Sequence, residues 1–171
     1  SFILPGRIRR GSIVIRALLI AALLVAVVGY KQEKPAHAKA SQEWEAVKVT
    51  LTPGMKRAKK AYDEGRYENA IRLYNAELEA AEATPTSSEE GLSYLYNQLG
   101  LALDAAGQYD HALEYHQKSL AIELKQLGPD HPDVATSYNN IGLVYRNKGE
   151  YDKALEYYQK SLAIRLKKSG P

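Results

Sequence analysis

Apolar residues recur along this chain at the spacing of helix faces. Leu92, Tyr96, Leu99 and Leu103 fall at i, i+4, i+7 and i+11, which puts them on one side of a helix with 3.6 residues per turn. A second helix of the same kind is predicted by a matching set further along: Val134, Tyr138, Ile141 and Tyr145. The alternation by two that a strand requires is missing. The pattern therefore predicts an all-α fold.

The chain also matches itself at a constant offset, which carries Gly65 onto Gly107 and Gly107 onto Gly149. At this offset, residues 109–129 agree with 151–171 at 16 of 21 positions. Self-similarity at a fixed period indicates stacked repeats. Each repeat is predicted to be a helix pair whose second helix carries an apolar face: Tyr109, Leu113, Leu120 and Leu124, then Tyr151, Leu155, Tyr158, Leu162 and Leu166. About three units are predicted, over 55–91, 92–133 and 134–171.

Glycines and cap residues mark the helix ends and the helix contacts within these units. Gly107 and Gly149 fall between helices, where a tight turn needs no Cβ. Gly100 and Gly142 fall inside helices, at a cost of roughly 1 kcal/mol each relative to alanine, so a close approach of two helix backbones is predicted there. Asp130 is the predicted cap of the helix that begins near Pro132.

The repeat resembles the tetratricopeptide repeat, in the longer variety found in kinesin light chains and many bacterial repeat proteins. The resemblance covers about 55–171 and rests on three motifs: YNNIG at 138–142, GEYDKAL at 149–155 and GPDHPDVA at 128–135. It implies a right-handed helix-pair solenoid, that is, a tetratricopeptide-like superhelix. The first unit departs from the pattern, because Pro53 and Gly54 interrupt its opening helix and Arg57 replaces Leu99 and Ile141.

The first helices carry a mixed polar and apolar stripe opposite the core. In the family that the chain resembles, first helices line the concave surface and asparagines there grip peptides. Asn can pair with a peptide backbone whatever the peptide's side chains are, and Arg146 can bind a carboxylate with two nitrogens. The predicted peptide-binding residues are Tyr94, Asn97, Gln98, Leu101, Thr136, Asn139, Asn140, Leu143 and Arg146. The alternative for the amides is hydrogen bonding between helices inside the stack.

The amino-terminal segment, 1–30, has the layout of an export segment. Arg7, Arg9 and Arg10 precede an uncharged apolar run over 17–29. Residues 1–30 are predicted to be either a cleaved signal peptide or a membrane anchor, with 13–30 as the tether. A spurious extension or a buried helix is the remaining alternative. Either export interpretation predicts that the repeats lie outside the cytoplasm, in the periplasm or outside the cell. Residues 31–54 are predicted to be a linker with a cap helix around Trp44.

Charge and composition then exclude some functions. The net charge of +3 arises in the segment 1–40, and 41–171 carry a net −3, so binding of nucleic acid is not predicted. Cysteine is absent, which excludes thiolate metal sites and a cysteine nucleophile. His111 and His116 are separated by a spacing that does not place them on one helix face as metal ligands. No catalytic residues, metal ligands or cofactors are predicted, and the chain is not expected to be an enzyme.

Three functions remain after these exclusions. The leading prediction is a scaffold that binds a protein or extended peptide in the concave groove. The first alternative is a sensing region of a longer enzyme or signalling protein whose effector domain lies beyond residue 171. The second is self-association through the last helix, because Tyr158, Leu162 and Leu166 are core-like where a terminal unit normally carries a polar cap. This apolar face and the closing Gly-Pro also predict that the natural array continues.

Overall fold

A computed structural model describes residues 51–169, all within one compact unit. Six α-helices occupy this range, and they are joined by short turns. Their bounds are α1, Pro53–Asp63; α2, Tyr67–Glu82; α3, Glu89–Ala105; α4, Tyr109–Leu127; α5, Pro132–Lys148; and α6, Tyr151–Ser169. None of these helices is both long and apolar enough for a membrane span. The expectations for 1–30 and for 31–50 lie outside the described residues and stay predictions.

Each helix packs against its neighbours in the chain, so that three antiparallel pairs stack in sequence order. The pairs are α1–α2, α3–α4 and α5–α6. The all-α solenoid of helix pairs is therefore confirmed. Pro53 is the first residue of α1, with Thr52 as its cap, so Pro53 and Gly54 start the opening helix and do not interrupt it.

Specific caps set where the other helices begin and end. Ser88 Oγ accepts the Gly91 N–H at 3.0 Å at the start of α3. At α5 the cap is His131, whose Nδ1 accepts the Asp133 N–H at 3.2 Å, so the prediction of Asp130 was wrong by one residue. Gly65, Gly107 and Gly149 end the first helices at φ values of 74°, 78° and 86°. This left-handed backbone strongly favours glycine.

The two helices of a unit meet where a bulky side chain lies on a glycine. A methyl group at Gly142 would stand 2.8 Å from the Tyr158 ring and 3.2 Å from the Ala154 carbonyl oxygen. A methyl group at Gly100 would stand 2.8–2.9 Å from the His116 ring. Real Cβ atoms do not come within 3.0 Å of other atoms, so neither glycine has room for a side chain. The predicted close approach of two backbones is seen at Gly142, whereas at Gly100 the close neighbour is the His116 ring.

His116 is buried without polar partners. It occupies the position that Tyr74 and Tyr158 hold in the neighbouring units, and its side chain is 1% exposed. Neither ring nitrogen has a hydrogen-bond partner among residues 51–169. Burial disfavours the charged imidazolium and lowers the pKa of His116 to about 4.

A buried carboxylate joins α4 to the helices on both sides. Ser137 Oγ on α5 donates to Glu123 Oε2 at 2.6 Å, and the Ser93 and Ser119 hydroxyls lie 3.2 and 3.1 Å from Oε1. Burial raises the pKa of Glu123, and the three serine hydroxyls oppose that rise. A hydrogen-bonded group at this depth fixes the register of three helices, because removing one partner would leave a buried polar atom unsatisfied.

The apolar faces of the second helices are covered by the next unit, except on α6. Leu113 and Leu120 on α4 are 7% and 8% exposed beneath the third unit. The equivalent Leu155 and Leu162 on α6 are 56% and 55% exposed. Tyr151 and Leu166 extend this exposed strip, which we call the α6 stripe. Leu162 and Leu166 are therefore exposed as their sequence predicts, whereas Tyr158 is half-buried against Gly142.

The environment of His116 leads to a prediction about acid stability. The imidazole has a pKa of 6.5 when unfolded and about 4 when folded, so the unfolded chain binds the proton first as pH falls. Stability should therefore be lost below pH 6.5, by about 2 kcal/mol between pH 7 and pH 5. His116→Phe keeps an aromatic ring that cannot titrate and should lose about 2 kcal/mol less over this range. Urea denaturation at the two pH values measures the difference. Equal losses in the two proteins would contradict the account.

Candidate binding surface

The first helices of the second and third units lie side by side. α3 and α5 contact each other directly, and two pairs of side chains form hydrogen bonds between them. Asn140 Nδ2 donates to Asn97 Oδ1 at 3.1 Å, and Asn147 Nδ2 donates to both Asp104 carboxylate oxygens at 3.0 Å. The two residues of each pair are 43 positions apart in the chain, so α3 and α5 run in the same direction with matched register. We call the surface that these two helices share the first-helix face.

All nine predicted binding residues lie on α3 or α5. None of them is buried in the core. Thr136 and Arg146 are exposed, and the others are half-buried: Tyr94, Asn97, Gln98, Leu101, Asn139, Asn140 and Leu143. The predicted set is therefore brought together on two adjacent helices and remains accessible to a ligand.

Hydrogen bonds divide the amides of this set into two groups. Asn97 and Asn140 bond to each other across the unit boundary, which is the alternative that the sequence left open. The side-chain amides of Gln98 and Asn139 have no hydrogen bond to any residue in 51–169. An unpaired, half-buried amide offers both a donor and an acceptor to an incoming backbone.

The two other polar members are only lightly engaged. Thr136 Oγ1 donates to the Pro132 carbonyl at 3.1 Å, one turn back on its own helix. Arg146 Nη2 donates to Asn147 Oδ1 at 3.2 Å, and Asn147 in turn holds Asp104. The remaining guanidinium N–H groups of Arg146 are free to bind a carboxylate. Asn147 was not among the predicted residues. Its pairing with Asp104 could have been found in the sequence, because Asp104 and Asn147 are as far apart in the chain as Asn97 and Asn140.

In the second and third units, tyrosine rings and lysines join the first helix to the second helix. Tyr96 stacks on Tyr115 at 6.0 Å, and Lys118 Nζ lies 4.8 Å from the Tyr115 ring centre. In the third unit, Tyr138 and Tyr157 are 6.1 Å apart, and Lys160 stands over both rings. Burial raises the pKa of Tyr96 to about 12, and its hydrogen bond to Glu82 adds to the rise. The Tyr96 phenol therefore stays neutral at physiological pH.

Clefts of about 410 and 580 Å³ in the described part of the chain lie around α2 and the turn before it, and none of the predicted binding residues lines them. No cluster of three or more metal-ligating side chains occurs between residues 51 and 169.

The Asn97–Asn140 bond gives a prediction about how the units are coupled. Asn97→Ala and Asn140→Ala should each destabilise the fold, and together they should do so by less than the sum. The expected coupling energy is about 0.5–1 kcal/mol, the usual worth of a hydrogen bond between neutral groups. Urea denaturation of the unmodified chain, the two single variants and the double variant measures this coupling energy. Strict additivity would show that the two amides do not stabilise the stack through each other.

Comparisons with known proteins agree with this geometry. The model of the tetratricopeptide repeat matches residues 57–125 and 92–167. The tetratricopeptide repeat domain of FLU from Arabidopsis superimposes with a TM-score of 0.53 at 24% identity, covering 72% of this chain and 95% of that domain. BtubC (BKLC) from P. vanneervenii gives a TM-score of 0.53 at 22% identity, covering 75% of this chain and 55% of BtubC. At these identities the two structures show the fold alone. No curated protein matches the chain.

Proposed function

The chain belongs to the tetratricopeptide repeat family, and on that premise we propose that it binds an extended segment of a partner protein along the first-helix face. Tetratricopeptide repeats generally mediate protein–protein interactions, and their fold is typically a non-catalytic scaffold. The family fixes this general role. The choice of surface rests on the side chains described above.

The observation that carries the proposal is the unpaired amide of Asn139. It lies on the same helix face as Leu143 and Arg146, one and two turns further along α5. A peptide backbone laid there can exchange hydrogen bonds with the amide, bury an apolar side chain beside Leu143 and place a carboxylate at Arg146. On α3 the equivalent positions are Asn97 and Leu101, and the unpaired amide of Gln98 lies next to Asn97 in the chain, so the surface extends by one unit.

Peptides selected from a displayed random library, with the whole chain as bait, provide a ligand for the test. We expect Asn139→Ala with Arg146→Ala to weaken the selected peptides about tenfold or more, because one amide pair and one charged hydrogen bond are lost. Fluorescence anisotropy measures the affinity, and far-UV circular dichroism checks that helicity is retained. Gln117→Ala with Lys125→Ala is the matched control, since both residues are exposed on α4. Equal affinities in both double variants would place the site elsewhere.

A second candidate function is self-association through the α6 stripe, and the exposure of Tyr151, Leu155, Leu162 and Leu166 favours it. On α4 the same stripe is covered by a helix, so the surface has the shape and chemistry of a helix–helix contact. A second copy could cover it by a two-fold arrangement in which the two α6 helices face each other. Apolar patches of this kind on soluble proteins mark interaction sites.

Introducing charge into the α6 stripe tests this second candidate. Leu162→Glu with Leu166→Glu should keep the protein monomeric at concentrations where the unmodified chain becomes dimeric. Light scattering after size-exclusion chromatography, over a range of concentrations, gives the mass. Lys153→Gln with Lys160→Gln makes the same change of net charge at exposed positions on the opposite side of α6 and should leave dimerisation intact. A chain that is monomeric at every concentration without substitution would refute self-association.

A further inference from the structure

A cavity of about 360 Å³ opens between α1 and α2, at the first unit. Four cationic side chains line it, with one amide and one half-buried leucine. The lining residues are Arg57, Lys60, Arg66, Asn69, Arg72 and Leu73. We call this cavity the basic cleft.

The cations of the basic cleft are poorly neutralised. Glu64 is their one acidic partner within residues 51–169, with its Oε1 3.9 Å from Lys60 and its Oε2 2.9 Å from Arg66 Nε. Arg57 forms no ion pair in that range, and Arg72 bonds only to Asn69 Oδ1, at 2.8 Å. Four positive charges and one negative charge therefore face the same space.

None of these charges is a feature of the repeat. At the positions of Arg57 and Lys60 the later units carry buried apolar residues, Leu99 and Ala102 in the second and Ile141 and Val144 in the third. At the position of Arg72 they carry the acids Glu114 and Glu156. The positive charge is therefore particular to this end of the stack.

Solubility alone does not explain this cluster, because a surface can be made soluble by charges of both signs. Several exposed cations elsewhere in residues 51–169 are paired with acids, as in Lys118–Glu114 and Lys59–Asp63. Clustered like charges repel each other and raise the free energy of the empty cleft. That cost is recovered when an anion enters, which makes the arrangement typical of a binding site.

The size and surroundings of the cleft indicate which anion it suits. A volume of 360 Å³ is about that of a dozen water molecules, so it exceeds one phosphate and has an apolar wall at Leu73. A nucleic acid would meet a net charge of −3 over residues 41–171 around a local basic spot. We propose that the basic cleft is a second binding site, separate from the first-helix face, for an acidic peptide segment that presents glutamate or aspartate together with an apolar side chain.

The test uses the whole chain and a fluorescent, amidated peptide of alternating glutamate and leucine. Fluorescence anisotropy should show binding that weakens as salt is added. Arg57→Ala with Arg72→Ala should lower the affinity about tenfold. Lys125→Ala with Lys167→Ala removes the same amount of charge from other units and should change the affinity for the peptide less than about twofold. Asn139→Ala with Arg146→Ala should leave the affinity for the peptide unchanged, which would show that the basic cleft and the first-helix face are different sites.

Four results would overturn the proposal. The first is that the peptide fails to bind. The second is an equal loss of affinity in the two cation-deleted variants, which would mean attraction to overall charge. The third is an equal loss on changing Asn139 and Arg146, which would place the acidic peptide on the first-helix face. The fourth is that inorganic phosphate or a single-stranded oligonucleotide displaces the peptide at a lower concentration than unlabelled peptide does.

Discussion

The structure depends on how closely the two helices of each unit can approach. Gly100 and Gly142 leave no side chain at the crossing point, and the His116 and Tyr158 rings occupy that space. A methyl group at either glycine would overlap the ring opposite, so these contacts determine how closely the helices of the second and third units approach. Once the pair is fixed, its outer apolar face is fixed as well, and the next unit can cover that face in only one register. The glycines cost helix propensity, and the buried rings offset this cost through packing.

Stacking in one direction leaves two chemically different ends. α1 carries Arg57 and Lys60 where later first helices carry buried Leu99 and Ala102, so its outer surface is charged. α6 instead keeps the core-like residues Leu155 and Leu162, which are more than half exposed. Because a helix pair buries its face only against a neighbour, an apolar end favours association, whereas a charged end favours solvent or an oppositely charged ligand. The first and last described helices, α1 and α6, therefore present surfaces of different chemistry.

Much of the fold could be predicted from the sequence, because the repeat supplies the same information several times. The constant offset between units, the turn glycines and the apolar spacing predict the helix pairs, and Gly100 and Gly142 predict the close crossings. Prediction failed where a choice depends on three-dimensional register. Both Asp130 and His131 can cap a helix, and the final geometry selected His131. The Asn97–Asn140 pairing requires knowing how one unit sits against the next, and the basic cleft joins residues of two helices and a turn.

The two proposed sites differ in how they would act on a partner. The first-helix face offers a directional amide at Asn139 and apolar contact at Leu143, and such groups act only once the partner touches them. The basic cleft attracts an acidic segment from a distance set by screening, about 8 Å at physiological salt. Charge thus accelerates the encounter, and hydrogen-bond geometry selects among the partners that arrive. The inter-unit bonds Asn97–Asn140 and Asp104–Asn147 contribute to that selection, because they hold the spacing between α3 and α5 to which an extended ligand must conform.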